Sequence, residues 1–435
     1  MTLKQTGETP KQVFFRSQDG IDRRLTTGGH EPGAVFSAED DEINIKQYVQ
    51  DYLNASGSAV KKLGGKKINY IDLFCGGGGM SLGVHNALKE FGFDARLLLA
   101  ADLDEAALSL VVEHFSPMFQ RSQPVEDLIK FSIDLSGVSN DFVTKPIILD
   151  NQIAQFKGKV DLLIGGPPCQ GHSNLNNKTR RHDPRNLLYF TMPAFAVALD
   201  VPCVIIENVR SIKNASENVV PISRKIFEKN GYFVDEIILE GTDFGVAQTR
   251  SRHFLVATKH QKLELDILVN QLKSDALTFD DVNSQLPKID CYPQLLETPT
   301  DLSKENQKRI NHLHETQSFN LQNDLRPDCH QDGHTYPSVY GRLRGDAPSG
   351  TITTGFGSPG RGRFIHPHEP RMITIREAAR LQSFPDWYFS GADKLGLSKN
   401  NLYKIIGDAV PSLMVYPLMA SLLGSFQKKF SDKKA

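Results

Sequence analysis

The 435-residue chain predicts an α/β fold: a mostly parallel, twisted, Rossmann-like sheet accompanied by a second, smaller domain. Three observations lead there. From Ile68 to Thr258, apolar strand-like runs alternate with amphipathic helical segments. The first of these runs empties into four consecutive glycines, as strand-to-helix turns of ligand-binding α/β folds do. After Thr258 the alternation stops, and the chain is already longer than the size at which one hydrophobic core keeps growing.

Residues 1–66 are polar and weakly patterned, apart from a helical candidate at Ile45 to Leu53, and they end in the loop-like KKLGGKK; they read as an N-terminal extension. Residues 67–258 form the α/β domain. Its strand candidates are Ile68 to Phe74, Arg96 to Asp102, Val160 to Gly166, Cys203 to Val209, Tyr232 to Leu239 and His253 to Thr258. Amphipathic helices lie between them, one carrying Val84, Leu88 and Phe91 on a single face. Residues 259–400 are expected to form the smaller domain. Segment 401–428 reads as a loop and an apolar helix, too apolar to stand alone, and is expected to complete the first domain by packing on its sheet.

Fifty basic against fifty-one acidic side chains leave a formal charge of -1, so any polyanion-binding surface must be a local patch. Candidates are Arg180, Arg181 and Arg185, then Arg342 and Arg344, then Arg361 and Arg363; taken alone, such groups are more often solvated surface. The five cysteines show no C-x-x-C spacing, which argues against a disulfide framework and a zinc finger. Cys329, His330 and His334 sit in a loop and read as ordinary polar residues, so no metal is expected. No apolar run reaches membrane-span length and the start MTLKQTGETP is polar, so a soluble, cytoplasmic chain is expected, with no membrane partner.

Three motifs carry chemistry, each at the end of a strand candidate. Asp72 to Gly83, DLFCGGGGMSLG, lets a ligand approach backbone that lacks Cβ atoms, and Asp102 follows at about the 20-residue spacing at which an acid reaches a nucleotide ribose. The simpler reading of Asp102 is a cap for the helix beginning DEAALSL. In Ile164 to Ser173, IGGPPCQGHS, Pro167 and Pro168 stiffen the turn that would hold Cys169 at the carboxyl edge of the sheet as a nucleophile, whereas Cys203, inside its strand, reads as inert. Downstream, NKTRRHDPRN supplies basic groups for phosphates. In IIENV, Glu207 ends a buried-strand pattern, where a carboxylate is costly unless paired or used. Neighbouring strands would bring Cys169 and Glu207 to one pocket.

Read in order, the Phe74 glycine element, Gly166-Pro-Pro-Cys-Gln-Gly-His-Ser, Glu207-Asn-Val, Gln248-Thr-Arg-Ser-Arg, YGRLRGDAPSGTITT and Gly407-Asp-Ala-Val-Pro resemble the ordered motifs of the DNA cytosine-5 methyltransferases. The resemblance spans about Ile68 to Phe426 and implies a class I methyltransferase fold with S-adenosylmethionine as donor. It implies that Phe74, Gly76, Gly78 and Pro167 line the donor site, that Asp102 holds the ribose hydroxyls, and that Leu103 and Leu188 flank the adenine. Asp127 beside Leu128 would contact the adenine edge, with Asp134 as its rival, and Asp408, Ala409 and Val410 would close the site. Asp408 departs from the commoner Gly-Asn pattern.

The same resemblance makes Cys169 the nucleophile, Glu207 the group that binds cytosine N3, and Arg250 and Arg252 the arginines that orient the base and hold the catalytic loop. Gln170, Ser173, Arg180, Arg181, Arg185, Arg342 and Arg344 become DNA-contact candidates, and residues 259–400 a target-recognition region. The implied partners are double-stranded DNA and, functionally, a cognate restriction endonuclease, the chain itself being a monomer; an orphan methylase fits equally. Three alternatives stay open: a tRNA methyltransferase, since one branch of this family methylates tRNA with the same motifs, a catalytically inactive homologue, and a nicotinamide oxidoreductase, which Pro-Pro-Cys-Gln would not suit.

Overall fold

The computed structural model describes residues 11–16, 22–27, 45–55, 65–135, 139–168, 184–215, 217–287, 292–331 and 338–431. Its strands are β1 (Lys11–Arg16), β2 (Asp22–Thr27), β3 (Lys66–Leu73), β4 (Phe93–Ala101), β5 (Phe119–Arg121), β6 (Ile129–Ile133), β7 (Phe142–Ile148), β8 (Leu162–Gly165), β9 (Cys203–Val209), β10 (Phe233–Glu240) and β11 (Ser251–Thr258). The helices flanking them are α1 (Ile45–Asn54), α2 (Gly79–Glu90), α3 (Glu105–Phe115), α4 (Asn151–Ala154), α5 (Thr191–Leu199) and α6 (Val219–Lys229). After β11 come α7 (Leu265–Gln271), α8 (Phe279–Asn283), α9 (Gln294–Glu297), α10 (Lys304–Glu315), α11 (Ile375–Leu381), α12 (Lys399–Asp408), α13 (Tyr416–Ser421) and α14 (Leu423–Ser431).

The central sheet has seven strands in the order β10-β11-β9-β8-β3-β4-β5. Pairs β9–β8, β8–β3, β3–β4 and β4–β5 are parallel, and β11 runs antiparallel to both of its neighbours. All six predicted strands are members, with ends moved by a few residues. Three kinds of strand escaped the sequence reading: the β1–β2 hairpin within the polar extension, the three-residue β5, too short to show a period, and the β6–β7 hairpin, whose Val143, Lys145 and Ile147 are exposed. Pro146 within β7 is tolerated because β7 pairs only with β6 and needs no donor on its free side.

Because the sheet is covered on both faces, its strands are apolar almost throughout. Alternate residues divide between two cores: Ile68, Tyr70, Ile164 and Ile205 pack with α2, α3 and the C-terminal helices, while Ile71, Leu73, Leu163 and Ile206 pack with α5 and α6. Buried residues of the 263–397 stretch, among them Leu265, Phe279, Ile310 and Phe356, belong to the first of these cores. The apolar C-terminal segment packs as its composition requires: Phe93 meets the rings of Phe426 and Phe430, and a Cβ on Gly83 of α2 would lie 2.5 Å from the Ser412 carbonyl oxygen. Among the described residues no single helix is long and apolar enough to cross a membrane.

Candidate active site

Strand order reverses at β3, since β4 lies on one side of it and the later β8 on the other, and open α/β sheets bind ligands at the carboxyl ends of strands around such a point. The glycine loop leaves β3, Asp102 leaves β4, Gly166 leaves β8, and Glu207 lies near the end of β9. Since β11 is antiparallel, its beginning, with Arg250 and Arg252, reaches the same edge.

In the glycine loop Phe74 and Gly76 both adopt positive φ, 55° and 50°, and a Cβ on Gly76 would meet nothing within 4 Å. The other three glycines are required by distant chain instead. A Cβ would come to 2.3 Å from Ile405 Cγ2 at Gly77, 2.5 Å from the Tyr388 hydroxyl at Gly78, and 2.2 Å from the Val410 carbonyl oxygen at Gly79. Of the four, Gly76 is the one whose missing Cβ leaves open space. Ala409 is buried and Val410 half-buried against this loop.

Asp102 accepts the Gly76 amide at 2.8 Å with one carboxylate oxygen and the Asp104 amide at 2.8 Å with the other. The helix cap is Asp104, which accepts from Ala107, so Asp102 is not the cap of α3. Leu103 between them is 68% exposed, an unusual position for a large apolar side chain. Lys404 bridges Asp104 at 2.7 Å and Asp408 at 3.5 Å, joining α12 to this edge. Asp127 is exposed on the short helix Val125–Leu128, whereas Leu128 is buried. Asp134 is engaged within its own hairpin, accepting both the amide and the hydroxyl of Ser139 at 2.7 Å. Leu188 is half-buried in the helix Pro184–Phe190.

On the neighbouring side, a Cβ on Gly166 would lie 3.0 Å from Glu207 Oε2, and Asn208 Nδ2 donates to the Pro167 carbonyl at 3.0 Å. The turn out of β8 is thereby fastened against the end of β9. Cys169, Gln170, Ser173, Arg180 and Arg181 lie outside the described residues, and of Arg185 only the backbone is described. Glu207 is 7% exposed; burial pushes its carboxyl above the usual range, and the nearby Arg252, Arg250 and His253 oppose that shift. Arg252 Nε lies 2.8 Å from Glu207 Oε1. Arg250 is fully enclosed and donates instead to the carbonyl oxygens of Ile352 and Gly407. The described thiols of this domain are poor nucleophiles, since burial raises Cys75 well above its usual range and pushes Cys203 up to about 12.

The arginine pair expected on a DNA face divides. Arg342 is 4% exposed and stacks on Phe319, so it does not reach the surface; Arg344 is exposed and paired with Asp346. Among the described residues no three His, Cys, Asp or Glu gather into a metal-binding group, and His334 lies outside them. Two features were missed in the sequence. One is Tyr388, whose hydroxyl donates to the Gly77 carbonyl at 2.7 Å across 311 residues, a link without a local signal. The other is Asp72 under the loop, which accepts from Ser81 at 2.6 Å and is pushed up to about 8 by burial; an acid inside an apolar strand was its visible signal.

Comparisons with known proteins agree with this geometry. The family model for C-5 cytosine-specific DNA methylase matches residues 68–423. The Type II methyltransferase M1.BsuMI of Bacillus subtilis (strain 168) is 35% identical over 94% of this chain and 91% of its own length, and M.DdeI of Desulfomicrobium norvegicum is 28% identical over 83% and 89%. Among solved structures, a prophage-encoded chain from E. coli described as a DNA modification methyltransferase superposes with a TM-score of 0.57 at 25% identity, covering 82% of this chain and 99% of its own. The S. pombe Dnmt2 methyltransferase shares the fold, with a TM-score of 0.53 at 18% identity over 83% and 99%. The chain belongs to the C-5 cytosine-specific DNA methylase family and is a DNA (cytosine-5-)-methyltransferase.

Proposed function

We propose that this methyltransferase acts on a cytosine flipped out of a specific duplex site, forms a covalent bond between Cys169 and cytosine C6, and draws its methyl group from S-adenosylmethionine. The observation that carries this reading is the buried Glu207, paired with Arg252 and set against Gly166 where the chain turns toward Cys169. Cytosine C5 is too weak a nucleophile to take a methyl group unaided, and in a duplex it is stacked. Extrusion costs a few kcal/mol and is offset by hydrogen bonds to the exposed base edge and by phosphate contacts.

The residues fit the donor. Gly76 offers open backbone, Asp102 is held at the strand end for the ribose hydroxyls, and Leu103 presents an exposed apolar face to the adenine. Asp127 is exposed toward solvent while Asp134 is occupied by Ser139, which favours Asp127 for the adenine edge. Phe74, Gly78, Leu128, Pro167, Leu188, Asp408, Ala409 and Val410 complete the proposed lining. When bound, S-adenosylmethionine supplies an electrophilic methyl group.

In the reaction, the Cys169 thiolate adds to C6 while protonated Glu207 donates to N3, so the ring electrons collect at C5, which takes the methyl group. The C5 proton then passes to solvent, the C5–C6 double bond re-forms, the thiolate departs, and N3 returns its proton to Glu207. A carboxyl pushed above its usual range by burial gives up its proton less readily to water than an exposed one, which suits a group that hands it to N3 and takes it back. Arg252 fixes the carboxylate that faces the ring, and Arg250 holds the strand that carries Arg252.

Residues 259–400 are proposed to read the target, with Gln170, Ser173, Arg180, Arg181, Arg185 and the exposed Arg344 as DNA contacts; duplex affinity then falls steeply with added salt. The similarity to Type II methyltransferases supports a cognate restriction endonuclease as functional partner, and we take the chain to act as a monomer in the cytoplasm. A duplex carrying 5-fluorocytosine tests the covalent step, since no base removes fluorine as a cation. With S-adenosylmethionine, the enzyme should form a denaturation-resistant complex linked through Cys169, and Cys169→Ser should form none. An adduct on Cys75 or Cys203, or no adduct on a duplex whose unfluorinated form is methylated, overturns the assignment.

A further inference from the structure

We propose that Tyr388 is a positioning residue for the donor site, its hydroxyl holding the glycine loop in the one conformation that turns the open face of Gly76 toward the donor. This rests on the reading that the loop binds S-adenosylmethionine. The Tyr388 hydroxyl donates to the Gly77 carbonyl at 2.7 Å and stands 2.5 Å from where a Cβ on Gly78 would be. One atom thus engages two successive residues of the loop. Gly76 and Gly78 have positive φ, and the run of glycines around them has many backbone alternatives of similar energy. Nothing within such a run selects one of them; a fixed external partner does.

Tyr388 is itself fixed. It is fully buried, packed against Phe384 and His114, and its carbonyl lies 2.6 Å from His114 Nε2. Two residues earlier, Asp386 is gripped by Arg376 at 2.7 Å and Arg380 at 2.8 Å. Those arginines also reach Glu297 and the carbonyl oxygens of Pro287 and Val282. The hydroxyl position is therefore set through Val282, Pro287 and Glu297, far in sequence from the loop it steadies. Without the hydroxyl, the Gly77 carbonyl loses a buried partner and the loop relaxes among its alternatives, so that donor binding must reorder it. The loss falls on donor affinity and leaves the chemistry and the DNA contacts alone.

The test uses the full-length enzyme and Tyr388→Phe, which keeps the ring. The KM for S-adenosylmethionine, and its calorimetric dissociation constant, should rise about tenfold, while kcat at saturating donor and the KM for duplex DNA stay at wild-type values. Absence of donor binding by the wild type would remove the underlying reading. A wild type that binds, with a variant of equal affinity, overturns the role of Tyr388 alone, and so does a variant in which kcat and both KM values change together. A double-mutant cycle gives an independent check: Gly78→Ala should weaken donor binding less when combined with Tyr388→Phe, because the nearest atom is gone, and strict additivity counts against the proposal.

Discussion

Arg252 Nε lies 2.8 Å from Glu207 Oε1, a diagonal contact between antiparallel strands in which Glu207 faces Phe254 directly. Burial raises the Glu207 carboxyl and the Arg252 cation opposes it, so removing the cation should raise it further. Arg252→Ala is expected to lower kcat on the order of 100-fold, through loss of carboxyl orientation, and to move the alkaline limb of the kcat–pH profile upward. Glu207→Gln should remove that limb and cost about 100-fold or more, because an amide has no proton to give to N3. An alkaline limb that stays in place in Arg252→Ala would detach the ion pair from the chemistry.

Two residues away, Arg250 should behave differently. Its guanidinium is enclosed and serves the carbonyl oxygens of Ile352 and Gly407, linking β11 to the two later segments. Arg250→Ala leaves a cavity and unpaired carbonyl groups, at a cost of about 3 kcal/mol in unfolding free energy. Chemical denaturation checks this, and a loss under 1 kcal/mol, on the order of an exposed substitution, would contradict the scaffold role.

These contrasts mark how far the sequence was legible. Strands such as Cys203 to Val209 were readable because a doubly covered sheet demands continuous apolar runs, and the Gly-Pro-Pro turn and Glu207 were readable because polar or stiff residues interrupt such runs at their carboxyl ends. The partition of one motif into roles was not. Arg250 and Arg252 are two residues apart, yet one is enclosed and the other meets Glu207, which depends on chain more than 100 residues away. Asp102 and Asp104 divide the loop contact and the helix cap between them by where β4 ends and α3 begins, and the burial of Arg342 on Phe319 has no period to betray it.

Asp72 supplies a pH dependence of stability. Its carboxyl, buried beside Ser81, is pushed from 3.8 up to about 8, so the native state keeps a proton that the unfolded chain releases. Its favourable contribution is complete below pH 3.8 and is lost as pH rises through about 8. Asp72→Asn keeps an acceptor for Ser81 and does not titrate. Relative to that variant, the wild type should lose roughly 3 kcal/mol between about pH 5 and pH 8. Parallel denaturation curves at the two pH values would contradict a protonated Asp72.

Part of the N-terminal extension belongs to the enzyme body. On α1, Val49 and Leu53 are 1% and 0% exposed, and Tyr52 reaches Ser412 at 2.8 Å. Lys46 pairs with Asp281, and the Asn54 side-chain oxygen accepts from Arg380 at 3.0 Å, next to the ion pair that holds Asp386. The helix thus touches the segment behind the glycine loop and the α8–α11 region at once. A helix this short has little stability of its own in water, so its order comes from these contacts. Leu53→Ala should cost about 2–5 kcal/mol through the cavity it leaves, whereas Asn54→Ala should cost about 1 kcal/mol, since Arg380 keeps Asp386 as a partner. A chain beginning at residue 56 should therefore show a lower denaturation midpoint and a weaker grip on S-adenosylmethionine. If that chain unfolds at the wild-type midpoint, α1 is an appendage and the extension has no part in holding the site.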